Sequence, residues 1–166
     1  MAVSDFLLNI DGIKGESTDS KHKDWIELRS FSWGLVNNAS AGHGSGLGSG
    51  KVSMGDIHFT MTHCNASPLL MLACASGEHV KTATVLARKQ GKDQIEFLTI
   101  KLTDVLVTSY QTGGSSGGET GSEVIPTDQF SLAFSKVEQS YTPQKQDGTA
   151  GAKTTKGWNV KENKLV

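Results

Sequence analysis

Over most of its length the chain alternates apolar and polar residues with a period of two, the pattern of half-buried β-strands. Phe6, Leu8 and Ile10 form one face of a first strand that stops at Asp11-Gly12. Trp25 to Trp33 reads as a second, aromatic and β-branched, with Trp25, Phe31 and Trp33 on one face and Ile26, Leu28 and Ser32 on the other. Lys51 to Cys64 resumes the alternation, with Ile57, Phe59 and Met61 set against His58, Thr60 and Thr62. Val80, Thr82, Thr84 and Leu86 make a weaker strand, and a short last one surrounds Trp158-Asn159-Val160.

In two long segments the alternation changes phase. Ile95 and Phe97 are odd, whereas Leu98, Ile100, Leu102 and Leu106 are even; Phe130, Leu132 and Phe134 are even, whereas Val137 and Tyr141 are odd. A strand exchanges faces where it bends or bulges between two packed sheets. The expected fold is therefore mainly β: a single domain over residues 1–166, with a closed architecture of two antiparallel sheets, a barrel or a sandwich.

One segment breaks the pattern. Residues 65–76, Asn-Ala-Ser-Pro-Leu-Leu-Met-Leu-Ala-Cys-Ala-Ser, read as one short α-helix. Ser67 suits the N-cap, Pro68 the first helical position and Gly77 the left-handed position after the end. Because the segment carries no charge and is apolar all round, it is expected to be covered on more than one side. Leu69 and Leu72 are the candidates for packing or interface contacts.

Composition narrows the function by exclusion. Lys plus Arg number 16 against 17 acids, so net charge is −1 and no field for nucleic acid or an anionic membrane follows. No apolar run reaches the roughly 18 residues of a membrane-spanning helix, and the N-terminus lacks the basic start of a cleaved secretory signal. Cys64 and Cys74 are too few for a disulfide framework and read as reduced, largely buried thiols.

The Gly-rich stretch at 42–50 fails both phosphate-cradling patterns: Gly50-Lys51 is followed by Val52, and Ser49 stands where the third dinucleotide Gly would be. His58, His63, Cys64, Cys74 and His79 lack the paired spacing of a zinc site. No Gly-x-Ser-x-Gly elbow is present. No catalytic residue, cofactor or metal is assigned, and the chain is not read as an enzyme.

The order of short motifs resembles one family along nearly the whole chain. Gly15-Glu16-Ser17 precedes Trp25-Ile26-Glu27; Ser32-Trp33-Gly34 and Gly50-Lys51-Val52 follow, then Ser67-Pro68-x-Leu70, Ala73-Cys74, Gly77-x-His79 and Arg88-Lys89-x-Gly91. Val105-Leu106-Val107, Tyr141-Thr142-Pro143-Gln144, Asp147-Gly148 and Gly157-Trp158-Asn159 complete the series. This resembles the haemolysin-coregulated protein (Hcp) family, tube subunits of the bacterial type VI secretion system.

The resemblance implies a small β-barrel assembled with copies of itself into hexameric rings. The rings stack into a hollow tube that a contractile sheath propels behind a trimeric spike, carrying small effector proteins in the lumen. It implies a protein that is cytoplasmic before firing and then secreted without a cleaved signal. Ser32 lies in the strand that resembles the family's lumen-lining strand, and is the candidate effector contact. Asn37, Gly42, Gly44, Gly46, Gly48 and Gly50 lie in the stretch that resembles its extended loop, and are the candidates for inter-subunit or ring-stacking contacts. The alternative from the residues alone is a monomeric β-sandwich binding a carbohydrate-type ligand through its Gly/Ser loops.

Overall fold

The computed structural model describes residues 4–38, 51–91, 94–116 and 125–166. In chain order the elements are β1 (Ser4–Ile10), β2 (Ile26–Ser32), β3 (Leu35–Asn37), β4 (Val52–Met54), β5 (Ile57–Thr62), α1 (Ala66–Ser76), β6 (His79–Lys89), β7 (Glu96–Gly113), β8 (Thr127–Tyr141), β9 (Thr154–Asn159) and β10 (Lys164–Leu165). Strands β8, β5, β2, β1, β6 and β7 pair in that order, and β7 pairs back onto β8, closing a barrel in which every neighbour is antiparallel.

β8 is the strand at which the sheet divides. Its whole length pairs with β7, while its other edge pairs with β5 over Thr127–Leu132 and with β9 over Lys136–Tyr141. β9 and β10 thus extend the wall beyond the closed ring, and β3–β4 form a separate two-stranded ribbon.

The core is filled by Leu8, Ile26, Ile57, Phe59, Met61, Val85, Leu102, Val105, Phe130 and Leu132, all fully buried. The phase change expected in the long strands occurs at one level across three of them. Val80, Val105 and Phe134 are register partners, as are Ala83, Leu102 and Val137, and both trios turn toward the core. Two residues face away between them on each strand, so β6, β7 and β8 exchange faces together.

In β8 the exchange falls between Phe134 and Val137, as the pattern predicts. In β7 one reversal falls at Phe97, as the pattern predicts, where Phe97 is the extra residue of a bulge opposite Ala87 and Arg88. A second, which the pattern did not show, falls between Leu102 and Val105. Asp104 takes a left-handed φ of 54° at the exchange, a conformation that Asp tolerates better than most residues. Its carboxylate accepts from Lys161 (2.5 Å) and Ser135 (2.5 Å) and is hydrogen-bonded to His79 Nδ1 (2.9 Å).

The second strand corrects another expectation. Ile26 and Leu28 do not share a face with Ser32: both are buried, and so are the inward sides of Phe31 and Trp33. Leu28 pairs with Met61 and Ser30 with Thr60, so Arg29 is an extra residue that reverses the phase.

The helix begins near the expected place but by a different cap. Asn65, in helical conformation, is the N-cap and gives no side-chain hydrogen bond. Ser67 Oγ instead accepts from the N–H of Cys64 (3.0 Å), and the N–H of Ser67 donates to the Cys64 carbonyl (2.9 Å), closing the turn before the helix. Gly77, at φ 67°, ends it as expected, its N–H donating to the Ala73 carbonyl. Ala66, Leu70 and Ala73 are buried beside β7, but Leu69, Met71 and Leu72 are 41%, 50% and 58% exposed. Within the single chain the helix is therefore covered on one side, not on several. Cys64 and Cys74 are half-buried free thiols, more open than expected.

Gly15 shows why its motif contains glycine. A Cβ there would sit 2.5 Å from the Trp25 carbonyl oxygen and 2.7 Å from Ile26 Cα, where the 15–24 loop returns against β2. Gly15→Ala is expected to cost about 2 kcal/mol through forced backbone movement. Gly34→Ala, with open space around it, should stay within about 0.5 kcal/mol of the parent. Urea unfolding midpoints compare the two.

Candidate functional site

Ser32 stands in a row of polar side chains that crosses four strands. It pairs with His58 on β5, His58 pairs with Ser131 on β8, and Ser131 pairs with Ser109 on β7. His58 Nδ1 is hydrogen-bonded to Ser131 Oγ (2.7 Å), and Ser109 Oγ donates to the same oxygen (2.8 Å). One step along the strands lies a second row, Ser30, Thr60, Gln129 and Gln111, in continuous register.

The inward neighbours of these residues supply the support. Phe59 and Phe130 stack at 5.1 Å, and Phe31 meets Phe6 edge-on at 5.3 Å. The outer face holds a shallow cavity of about 460 Å³ over the two rows.

A bulge bounds the rows at each end. Thr108 is the extra residue on β7, between the Val107–Leu132 and Ser109–Ser131 pairs, and its hydroxyl donates to Asp56 (2.7 Å). At the other end the bulged Arg29 donates to Thr62 (3.1 Å) and Thr127 (3.3 Å). Between these charges the face carries hydroxyls, amides and one imidazole. Sequence reading singled out Ser32 alone; His58 figured only as a discounted metal ligand. Register across four strands assembles the rest, and nothing local in the sequence reports it.

The other candidates lie elsewhere. Asn37 ends the β3 edge of the ribbon, exposed with Leu35 and Val36 and paired to Val52. Gly42, Gly44, Gly46, Gly48 and Gly50 lie outside the described residues. Leu69 and Leu72 lie on α1. Where the ribbon faces β8 and β9, Trp33, Leu35, Met54, Tyr141, Trp158 and Leu165 line an apolar groove of about 620 Å³.

A buried carboxylate was missed by sequence reading. Asp128 is fully buried, although its parity with Phe130 and Leu132 marks it as inward-facing. It accepts from Ser67 Oγ and from His63 Nδ1 (3.1 Å). Burial pushes its pKa up, but the hydrogen bonds from Ser67, Thr112 and His63 outweigh this and hold it below the ordinary carboxylate value. Serine, aspartate and histidine meet here, yet the carboxylate stands between the other two. Ser67 donates to an acid instead of to a base, so no nucleophile is activated. Burial also raises the Cys64 thiol pKa, which keeps the thiol protonated.

A second network straps the 15–24 loop to the barrel. Arg88, 8% exposed, pairs with Asp19 (2.8 Å) and Asp5 (3.3 Å), and His22 bridges Asp19 and Glu96, each at 3.1 Å. Its hydrogen bond to Arg88 holds Asp19 far below the usual carboxylate range. No described helix is long and apolar enough to cross a membrane.

Comparison with known proteins follows this architecture closely. Residues 7–141 match the family model described as type VI secretion system effector, Hcp. The chain belongs to the Hcp family. It is 40% identical to protein Hcp1 of Pseudomonas aeruginosa over 165 residues, covering 98% of both chains. It superposes on Hcp1 of Salmonella typhimurium with a TM-score of 0.81 at 37% identity, covering 100% of each. A solved type six secretion system protein superposes with a TM-score of 0.91 at 36% identity, over 99% of this chain and 100% of that one. This Hcp-family chain is therefore a type VI secretion protein, and the family match runs from within β1 to the end of β8 and includes both bulges that bound the polar face.

The acid response of this Hcp-family barrel follows from Asp128. Its folded pKa lies below the ordinary 3.8, so its contribution is fully present above that value and is lost as pH falls through the folded one. Ser67→Ala removes one donor from the buried carboxylate and is expected to cost about 1–3 kcal/mol at neutral pH. It should also move the acid-unfolding midpoint to higher pH, as read by circular dichroism; an unchanged midpoint would count against this network.

Proposed function

We propose that the chain is a tube subunit of the type VI secretion system, forming hexameric rings that stack and carry effector proteins in the lumen. The supporting observation is its likeness, over nearly its whole length, to Hcp1 of Pseudomonas aeruginosa. Its exposed apolar surface agrees: Leu69, Met71 and Leu72 on the helix, Leu35 and Val36 on the ribbon, and Tyr141 and Leu165 at the groove are all half or more open in one chain, apart from Leu69 at 41%. So much apolar surface on a small domain is the mark of association, and a closed ring satisfies it without leaving a free patch.

In this reading the contractile sheath and the trimeric spike are partners of the stacked rings, and Ser32 lines the lumen. Asn37 and the glycines at 42–50 reach the neighbouring subunit or ring. The protein is cytoplasmic until firing and then secreted.

Native mass measurement is expected to give a species near six times 17.7 kDa; a strictly monomeric protein at micromolar concentration would oppose the reading. Leu72→Glu should leave folding within about 0.5 kcal/mol because the side chain is exposed in the single chain, yet shift the hexamer toward monomer in the same measurement. Ser32→Gln should leave rings intact and lower the recovery of lumen cargo in co-purification.

A further inference from the structure

We propose that the face between the two bulges recognises cargo through uncharged hydrogen-bonding side chains (Ser, Thr, Asn and Gln on a protein surface) and discriminates against charged ones. The proposal rests on reading the Ser32 face as the lumen wall. Ser30, Ser32, Thr60, Ser109, Gln111 and Gln129 present hydroxyl or amide side chains, Ser131 is buried and holds His58 and Ser109, and His58 is the one ionisable group in the two rows. Each hydroxyl and amide both donates and accepts, so a partner's neutral polar groups can be matched in either sense. His58 joins this set through its imidazole, with Nδ1 engaged by Ser131.

The charges at the two bulges stand outside the rows, opposite in sign and already engaged: Asp56 by Thr108, and Arg29 by Thr62 and Thr127. A lysine or glutamate docked between them would lose water without gaining a counter-charge, which is unfavourable. A neutral polar surface exchanges hydrogen bonds with water for hydrogen bonds with protein at little net gain. Contact at one copy is therefore weak and reversible, as a carrier that must release its load requires. Repetition around a ring multiplies it.

The test uses the intact protein and three fluorescent peptides of equal length: one of Ser, Thr, Asn, Gln and Gly, and two in which every third residue is Lys or Glu. Anisotropy titrations are expected to show the neutral peptide binding at least about fivefold tighter than either charged one. Its affinity should change less than about twofold between low and high salt. His58→Gln should keep that preference, whereas His58→Glu should weaken the neutral peptide and favour the lysine one, with circular dichroism confirming that both variants fold.

Equal or tighter binding of a charged peptide to the unsubstituted protein overturns the proposal. So does no binding of the neutral peptide at millimolar concentration, or a neutral preference untouched by His58→Glu. Native mass on the same samples separates the two readings. Rings with the wrong preference overturn this inference alone, and monomers that keep the neutral preference overturn only the ring.

Discussion

Pairing of β7 with β8 from Leu98–Tyr141 to Gly113–Thr127 closes the barrel, and the rest of the molecule depends on that ladder. Without it the sheet would end in two long edges, the surface most prone to pairing with other chains. With it, β8 presents its free edge to β5 in one half and to β9 in the other, which divides the wall between barrel and extension. The long strands can serve both halves only by exchanging faces midway. The left-handed Asp104, held by residues of β6, β8 and the turn after β9, sits at that exchange.

Charge is distributed to suit this arrangement. The carboxylates with the largest structural commitments are satisfied by named donors: Asp128 by Ser67 and His63 under the helix, Asp19 by Arg88 and His22 on the loop, Asp104 at the strand bend. The outer face of β2, β5, β8 and β7 is left neutral between Asp56 and Arg29. The apolar surface is concentrated instead on the helix, the ribbon and the groove beside β9. One chain thus separates its exposed apolar surface from a neutral polar face.

Much of this was legible beforehand. Alternation in β1, β5 and β8 is strict enough to assign strand and face, because a pleated strand buried on one side admits little else. Gly77 and the charge-free run before it locate the helix end correctly. The phase change between Phe134 and Val137 marked a strand that serves two parts of the wall. Errors arose where one extra residue resets the pattern. Arg29 reverses the face of everything after it in β2, and a bulge residue has no composition of its own to announce it. The Ser67 hydroxyl was assigned to the helix end on local grounds, but the backbone N–H of Cys64 and the buried Asp128 compete for it successfully.

The sequence by itself determined that this chain is a mainly β domain with one apolar helix, because periodicity and capping are local properties of neighbouring residues. It also determined family membership, since the order of its motifs survives along the whole length. Only the tertiary structure decided which polar residues share a face. Ser32, His58, Ser131 and Ser109 come from strands far apart in the chain, and they become neighbours only when closure of the barrel sets the register between them. The same holds for the exposed side of the helix: an all-apolar segment carries no record of which of its faces the barrel takes.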